Sequence, residues 1–96
     1  NRFELFQLLE ENEALIPDGF EDAIVGCGYG ANVVAVLDAG RIVNILIEKE
    51  GMDMDDAIEH MDYNIVGSYV GEKTPLYVVL DSQLYAKPKE EDVHDD

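Results

Sequence analysis

The densest group of side chains able to do chemistry in this sequence is a run of carboxylates at residues 53–62. Carboxylate oxygens suit hard cations such as Ca²⁺. The run departs from the EF-hand pattern, because it lacks the glycine of the turn and Asn64 occupies the twelfth position counted from Asp53. We therefore interpret it as a solvated acidic face and predict no metal site. Its members are Asp53, Asp55, Asp56, Glu59 and Asp62.

A second candidate is the glycine-rich run of residues 26–30, GCGYG. Glycines after a strand bring backbone N–H groups to a phosphate when a helix begins directly after them. Here an apolar, strand-like segment follows, and the G-x-G-x-x-G pattern is incomplete. Cys27, the sole cysteine, has no partner for a disulfide or a cysteine-based zinc site, and free cysteine is commonly buried. We interpret the run as a hairpin turn and predict no cofactor.

Residues 64–75 gather polar, small and turn-forming side chains. Most have a structural explanation, since glycine and proline shape turns and asparagine ends helices. The alternative is that the segment presents a binding surface for a partner or a small molecule. Its candidate residues are Asn64, Gly67, Tyr69, Gly71, Glu72, Thr74 and Pro75.

The charge of the chain constrains its partners most strongly. It carries 22 Asp and Glu against 6 Lys and Arg, a formal charge of −16 on 96 residues. That charge opposes direct contact with nucleic acid or an anionic membrane and favours a basic protein surface. Because 47% of the residues are hydrophobic, the chain can still build a core.

Apolar spacing and turn signals predict the elements. Residues 39–50 fit a strand by their β-branched content. They also fit a helix with Asp38 as N-cap and Gly51 as C-terminal stop, which we favour. The other predicted helices are 3–15 and 53–62, the latter with Met54, Ala57, Ile58 and Met61 as an apolar stripe. The predicted strands are 23–29, 33–37, 65–70 and 76–80, which form two antiparallel hairpins.

These elements predict an α+β fold in the order α-β-β-α-α-β-β. We expect a roughly four-stranded antiparallel sheet with about three helices on one face. Residues 1–86 would form a single acidic domain and residues 87–96 a disordered acidic tail. A lone cysteine and the absence of a long apolar run favour a cytoplasmic protein.

Between residues 23 and 79 the chain resembles a group of small uncharacterised bacterial and phage proteins. The matching segments are AIVG, LDAGRIVNILIEKEGM, DMDDAIEHMDYN and NIVGSYVGEKTP. The resemblance implies a helix over residues 39–50 and a β-β-α-α-β-β order after the first helix. It implies no known activity. The chain departs from the group at residues 28–30, where members have a longer polar loop.

The favoured function is that of a non-catalytic interaction protein that binds a basic surface of a partner. Its sharper form is a phage-type inhibitor that mimics nucleic acid and binds a nucleic-acid-binding protein. The partner-binding candidates are Asp55, Glu59, Asp62, Tyr69 and Glu72. One alternative is a small-molecule- or metal-binding domain, or a small enzyme, that uses residues 26–30 or 64–75. Another is self-association into a homodimer through apolar strands 33–37 and 76–80.

Overall fold

The computed structural model describes residues 1–68 and 70–80. These residues form an α+β fold of three α-helices, a π-helix and three strands, with a short 3₁₀ turn at Glu21–Ala23. Residues 81–96 and Tyr69 lie outside the described residues, and with them the predicted tail 87–96. In chain order the elements are α1 (Arg2–Glu11), β1 (Ile24–Cys27), β2 (Ala35–Asp38), α2 (Ala39–Glu50), α3 (Met54–His60), the π-helix (Met61–Val66) and β3 (Leu76–Val78).

The strands form a mixed sheet in the order β1-β2-β3. The hairpin predicted between the first two strands is confirmed, because β1 pairs with β2 antiparallel from Ile24–Leu37 to Cys27–Ala35. β3 pairs with β2 in parallel, with Leu37 opposite Tyr77. A parallel pair needs a long crossover, and α2, α3 and the π-helix supply it.

The predicted strand 65–70 and its hairpin with residues 76–80 are not observed. Ile65 and Val66 belong to the π-helix, and Gly67 after them keeps a right-handed helical backbone at φ −74°. Their β-branched side chains favour a strand locally, but packing of the helix decides the outcome: Ile65 packs against the core and Val66 is exposed. The described sheet therefore has three strands, and the four-stranded antiparallel sheet is not confirmed.

The first helix is shorter than the predicted 3–15. It begins with a capping box, in which the Glu4 N–H donates to Asn1 Oδ1 at 2.9 Å and the Glu4 carboxylate accepts from the terminal ammonium at 3.1 Å. It ends at Glu11, and Glu13 takes a left-handed backbone at φ 58°. The Arg2 guanidinium donates to the Ile24 carbonyl at 2.8 Å, which ties α1 to β1.

The helix favoured over residues 39–50 is confirmed with both of its predicted ends. Asp38 Oδ1 accepts from the Gly40 N–H at 2.9 Å, and Gly51 ends the helix in the left-handed region at φ 73°. The inward side of α2 packs between the sheet and α3. The buried hydrophobic residues of the core are Leu9, Ala23, Ile24, Ala35, Leu37, Ile42, Val43, Leu46, Ala57 and Met61.

Candidate functional site

The acidic run of residues 53–62 is held by α3 and the π-helix. Asp53 caps α3, its Oδ1 accepting from the Asp56 N–H at 2.8 Å. Ala57 and Met61 are buried and so fix which side of the helix faces the core. The opposite side is left to solvent, and it carries the carboxylates.

Three predicted partner-binding residues, Asp55, Glu59 and Asp62, are exposed along this side. We call them the acidic row. Residues four apart on a helix are surface neighbours, and Asp62 continues the row into the π-helix. None of the three is in an ion pair with a described residue. The ion pairs in the described part of the chain join Arg41 to Asp38 at 3.6 Å and the terminal ammonium to Glu4 at 3.1 Å.

The apolar stripe predicted for this helix is only half buried. Ala57 and Met61 are buried as expected, but Met54 is 55% and Ile58 41% exposed. α2 packs against α3, and it leaves the side of α3 that carries Met54 and Ile58 open to solvent. The acidic row therefore lies on a surface that also exposes apolar side chains.

A groove of about 440 Å³ runs beside the acidic row. Its walls follow two rows of residues at four-residue spacing, Asp56-His60-Asn64 and Glu59-Tyr63, which helical periodicity makes neighbours. Met52 lies at the N-terminal end. The groove thus joins two carboxylates, an imidazole, an amide and a phenol ring.

The π-helix shapes the far half of this groove. Its hydrogen bonds join residues five apart instead of four, so each residue turns the chain through a smaller angle than in an α-helix. Tyr63, four residues after Glu59, and Asn64, four residues after His60, line this half of the groove. Tyr63 keeps 75% of its surface exposed, which leaves its ring free to contact a partner.

His60 and Asn64 hold each other across one turn. The Asn64 amide nitrogen lies 3.2 Å from His60 Nδ1. An amide N–H can only donate, so His60 Nδ1 is the acceptor in this hydrogen bond. The amide oxygen of Asn64 is then available to accept a hydrogen bond from a molecule in the groove.

Among the described partner-binding residues, Glu59 lines this groove, whereas Asp55, Asp62 and Glu72 are not among its lining residues. Glu72 is exposed in the turn before β3, where Thr74 Oγ1 donates to the Gly71 carbonyl at 2.6 Å and accepts from the Val70 N–H at 2.9 Å. Tyr69 lies outside the described residues. The turn before β3 therefore positions Glu72.

A smaller cleft of about 200 Å³ lies between residues 15–17, the end of the π-helix and β3. It is held together by the Leu15 N–H, which donates to the Lys73 carbonyl at 3.3 Å. Burial raises the pKa of the Tyr77 hydroxyl above its ordinary value of 10.0. The lining residues are Leu15, Ile16, Pro17, Asn64, Ile65, Ser68, Val70, Pro75 and Tyr77.

The glycine-rich run forms the predicted hairpin turn. The Gly28 N–H donates to the Val34 carbonyl at 2.7 Å, and a side chain at Gly28 would touch Val34 at 3.2 Å. Cys27 is a free thiol and only partly buried. Tyr29 is fully exposed at the tip. The next element after the glycines is the strand β2, so they lack the helix N-terminus of a phosphate site.

Sequence reasoning placed the carboxylates correctly on the surface but missed the groove. Tyr63 is not among the predicted binding residues, although its four-residue spacing from Glu59 is visible in the sequence. Asn64 is a predicted candidate of residues 64–75, but its contact with His60 lies on a helix that continues past residue 64, where the sequence predicts a strand from residue 65. Among residues 1–68 and 70–80, no group of three or more His, Cys, Asp or Glu side chains is arranged to hold a metal ion.

No protein-family model, no curated protein and no solved structure matches this chain. The resemblance over residues 23–79 therefore stays a prediction. The described helices include none with the length and apolar character needed to cross a membrane.

Proposed function

We propose that this chain is a non-catalytic interaction protein that binds a basic surface of a partner protein through α3 and the π-helix. The observation that carries the proposal is the acidic row: Asp55, Glu59 and Asp62 are exposed, share one side of a continuous helical segment and have no ion pair among the described residues. Charges left open in this way raise the rate of encounter with an oppositely charged surface.

The exposed apolar side chains beside the row support a protein partner rather than a free cation. Charged groups alone steer partners together, whereas buried apolar and aromatic contacts supply most of the binding energy. Met54, Ile58 and Tyr63 are the exposed side chains that would supply them. Lone Cys27 suits a reducing cytoplasm as the place where this binding occurs.

The sharper form of the proposal is an inhibitor, of the kind that phages produce, that occupies the DNA-binding groove of its partner. DNA carries one charge per ~1.7 Å of axis. The acidic row runs from residue 55 to residue 62, a distance of roughly 10 Å along the axis at ~1.5 Å per residue. Three charges over that length are sparser than DNA, so mimicry would need acidic residues outside the row. Competition between this protein and duplex DNA for the partner tests this form.

The direct test of the acidic row is a triple variant, Asp55→Asn, Glu59→Gln and Asp62→Asn. Its matched control is Asp18→Asn, Glu21→Gln and Asp22→Asn, three exposed carboxylates that precede β1. Both variants change the net charge equally, so only a surface-specific effect separates them. We expect the first to weaken binding of a basic peptide in an anisotropy titration and the second to leave most of the affinity. Equal losses would contradict the assignment to this surface.

A second candidate function is binding of a small apolar molecule in the cleft beside Tyr77. The cleft favours it because apolar walls surround a few polar groups, among them Ser68 and the Tyr77 hydroxyl. A thermal-shift panel of nucleotides, divalent cations and small aromatic compounds tests it, because a ligand of the native state raises its stability. Stabilisation that Tyr77→Ala abolishes would favour this function.

Self-association is a third candidate, and β3 is its observed basis. β3 lies at the edge of the described sheet, and Leu76 and Val79 at this edge are exposed. Exposed edge strands pair with further strands. Light scattering across a concentration series would reveal a homodimer, and Leu76→Glu should dissociate it if this edge forms the contact.

A further inference from the structure

We propose that the groove on α3 and the π-helix binds an arginine side chain of the partner. This inference rests on the proposed function, since it names the chemistry that the basic partner presents to this surface. The proposed function depends on the acidic row, whereas this inference depends on the shape of the groove and on the Tyr63 ring.

The groove matches a guanidinium group in two properties, its positive charge and its planar shape. Asp56 and Glu59 bring one carboxylate from each wall, three residues apart and therefore neighbours on the helix. Neither carboxylate is in an ion pair with a described residue. Carboxylates accept the paired N–H groups of a guanidinium in short, charge-assisted hydrogen bonds.

Tyr63 supplies the contact that distinguishes arginine from lysine. Tyr63 follows Glu59 along one wall of the groove, and Tyr63 is 75% exposed. A planar guanidinium stacks on an aromatic face while its edges still donate hydrogen bonds, whereas an ammonium is a compact, strongly hydrated charge. A groove with carboxylates on both walls and an aromatic ring at one end therefore prefers arginine.

The pair of His60 and Asn64 adds a further acceptor. Because the Asn64 amide nitrogen donates to His60 Nδ1 at 3.2 Å, the amide oxygen is turned away from the imidazole. Asn64 lines the groove, and its oxygen can accept a guanidinium N–H that the carboxylates do not use. Met52 at the other end offers apolar surface to the methylene stem.

The test compares two peptides of equal length and net charge, one built on arginine and one on lysine. Both are titrated against the full chain at a single salt concentration, with fluorescence anisotropy as the readout. We expect the arginine peptide to bind about two- to five-fold more tightly, the range that a cation–π contact gives at an exposed site.

Two variants assign that preference to the groove. Tyr63→Leu should weaken binding of the arginine peptide more than binding of the lysine peptide, and so bring the two affinities close to each other. Tyr29→Leu is the matched control, because Tyr29 is also an exposed tyrosine but lies at the tip of the β1–β2 hairpin. It should keep the full preference. Circular dichroism checks that both variants fold.

The outcomes separate this inference from the proposed function. If neither peptide binds, both are wrong. If both peptides bind with equal affinity, or if Tyr63→Leu keeps the preference for arginine, the surface attracts basic partners without an arginine site and this inference alone is overturned. Loss of the preference in Tyr29→Leu as well would also overturn it.

Discussion

A β-carbon at Gly67 would lie 2.9 Å from the backbone oxygen of Asp62. That distance is shorter than ordinary van der Waals contact, and the Tyr63 oxygen would be only 3.3 Å away. Both oxygens belong to the π-helix, which ends at Val66 just before this glycine. The absence of a side chain at Gly67 thus lets the chain close against the last turn, and it maintains the far half of the groove.

Gly67→Ala should therefore destabilise the protein. The methyl group meets backbone rather than a flexible side chain, and overpacking of this kind costs about 1–3 kcal/mol. Alanine is the better helix former by up to ~1 kcal/mol, which offsets part of the loss. Urea unfolding measures the difference. Gly30→Ala is the control, since a β-carbon there meets nothing within 4 Å; equal stability of the two variants would contradict the close approach at Gly67.

Asp38 joins the sheet to α2, and its replacement tests that junction. It is 2% exposed, and its Oδ1 accepts from the Gly40 N–H at 2.9 Å. Loss of such a helix cap costs about 0.5–2 kcal/mol. Asp38→Ala should lower the free energy of unfolding by at least that amount. Asp38→Asn should lose less because its amide oxygen can still cap the helix. If asparagine is as damaging as alanine, the charge rather than the cap is what α2 requires.

The raised pKa of Tyr77 predicts a loss of stability in alkaline solution. Burial raises that pKa, so the folded state holds the hydroxyl proton more tightly than the unfolded state. The resulting contribution is complete below the ordinary pKa of 10.0 and is lost as pH rises through the folded-state value. Stability of the wild type should fall more steeply than that of Tyr77→Phe above about pH 10. Chemical unfolding at a series of pH values measures both proteins. If their free energies of unfolding fall in parallel in this range, the pKa of Tyr77 does not differ between the folded and unfolded states.

The parts of the fold that the sequence predicts correctly are those that short-range signals determine. Asp38 and Gly51 mark both ends of α2, and a short glycine-rich connection predicts the β1–β2 hairpin. Each of these signals acts within a few residues and can therefore be read from the local sequence. The confirmed α+β class follows from these elements.

The missed features depend on contacts between distant residues. The parallel pairing of β3 with β2 depends on a crossover from Ala39 to Pro75 that local patterns do not encode. The β-branched pair Ile65-Val66 favours a strand, yet it extends a helix that is already packed through Met61. The groove requires that extension. The sequence therefore predicts the acidic row but not the groove that Tyr63 and Asn64 help to form beside it.

The most direct measurement of the central claim is the capture of partners from a lysate of the source cell at low and high salt, with mass spectrometry of the bound proteins. The wild type should retain a basic protein that high salt releases. The triple variant Asp55→Asn, Glu59→Gln and Asp62→Asn should fail to retain it, while the control variant Asp18→Asn, Glu21→Gln and Asp22→Asn should still do so. Retention of the same protein by the acidic-row variant would contradict the claim that this surface binds the partner.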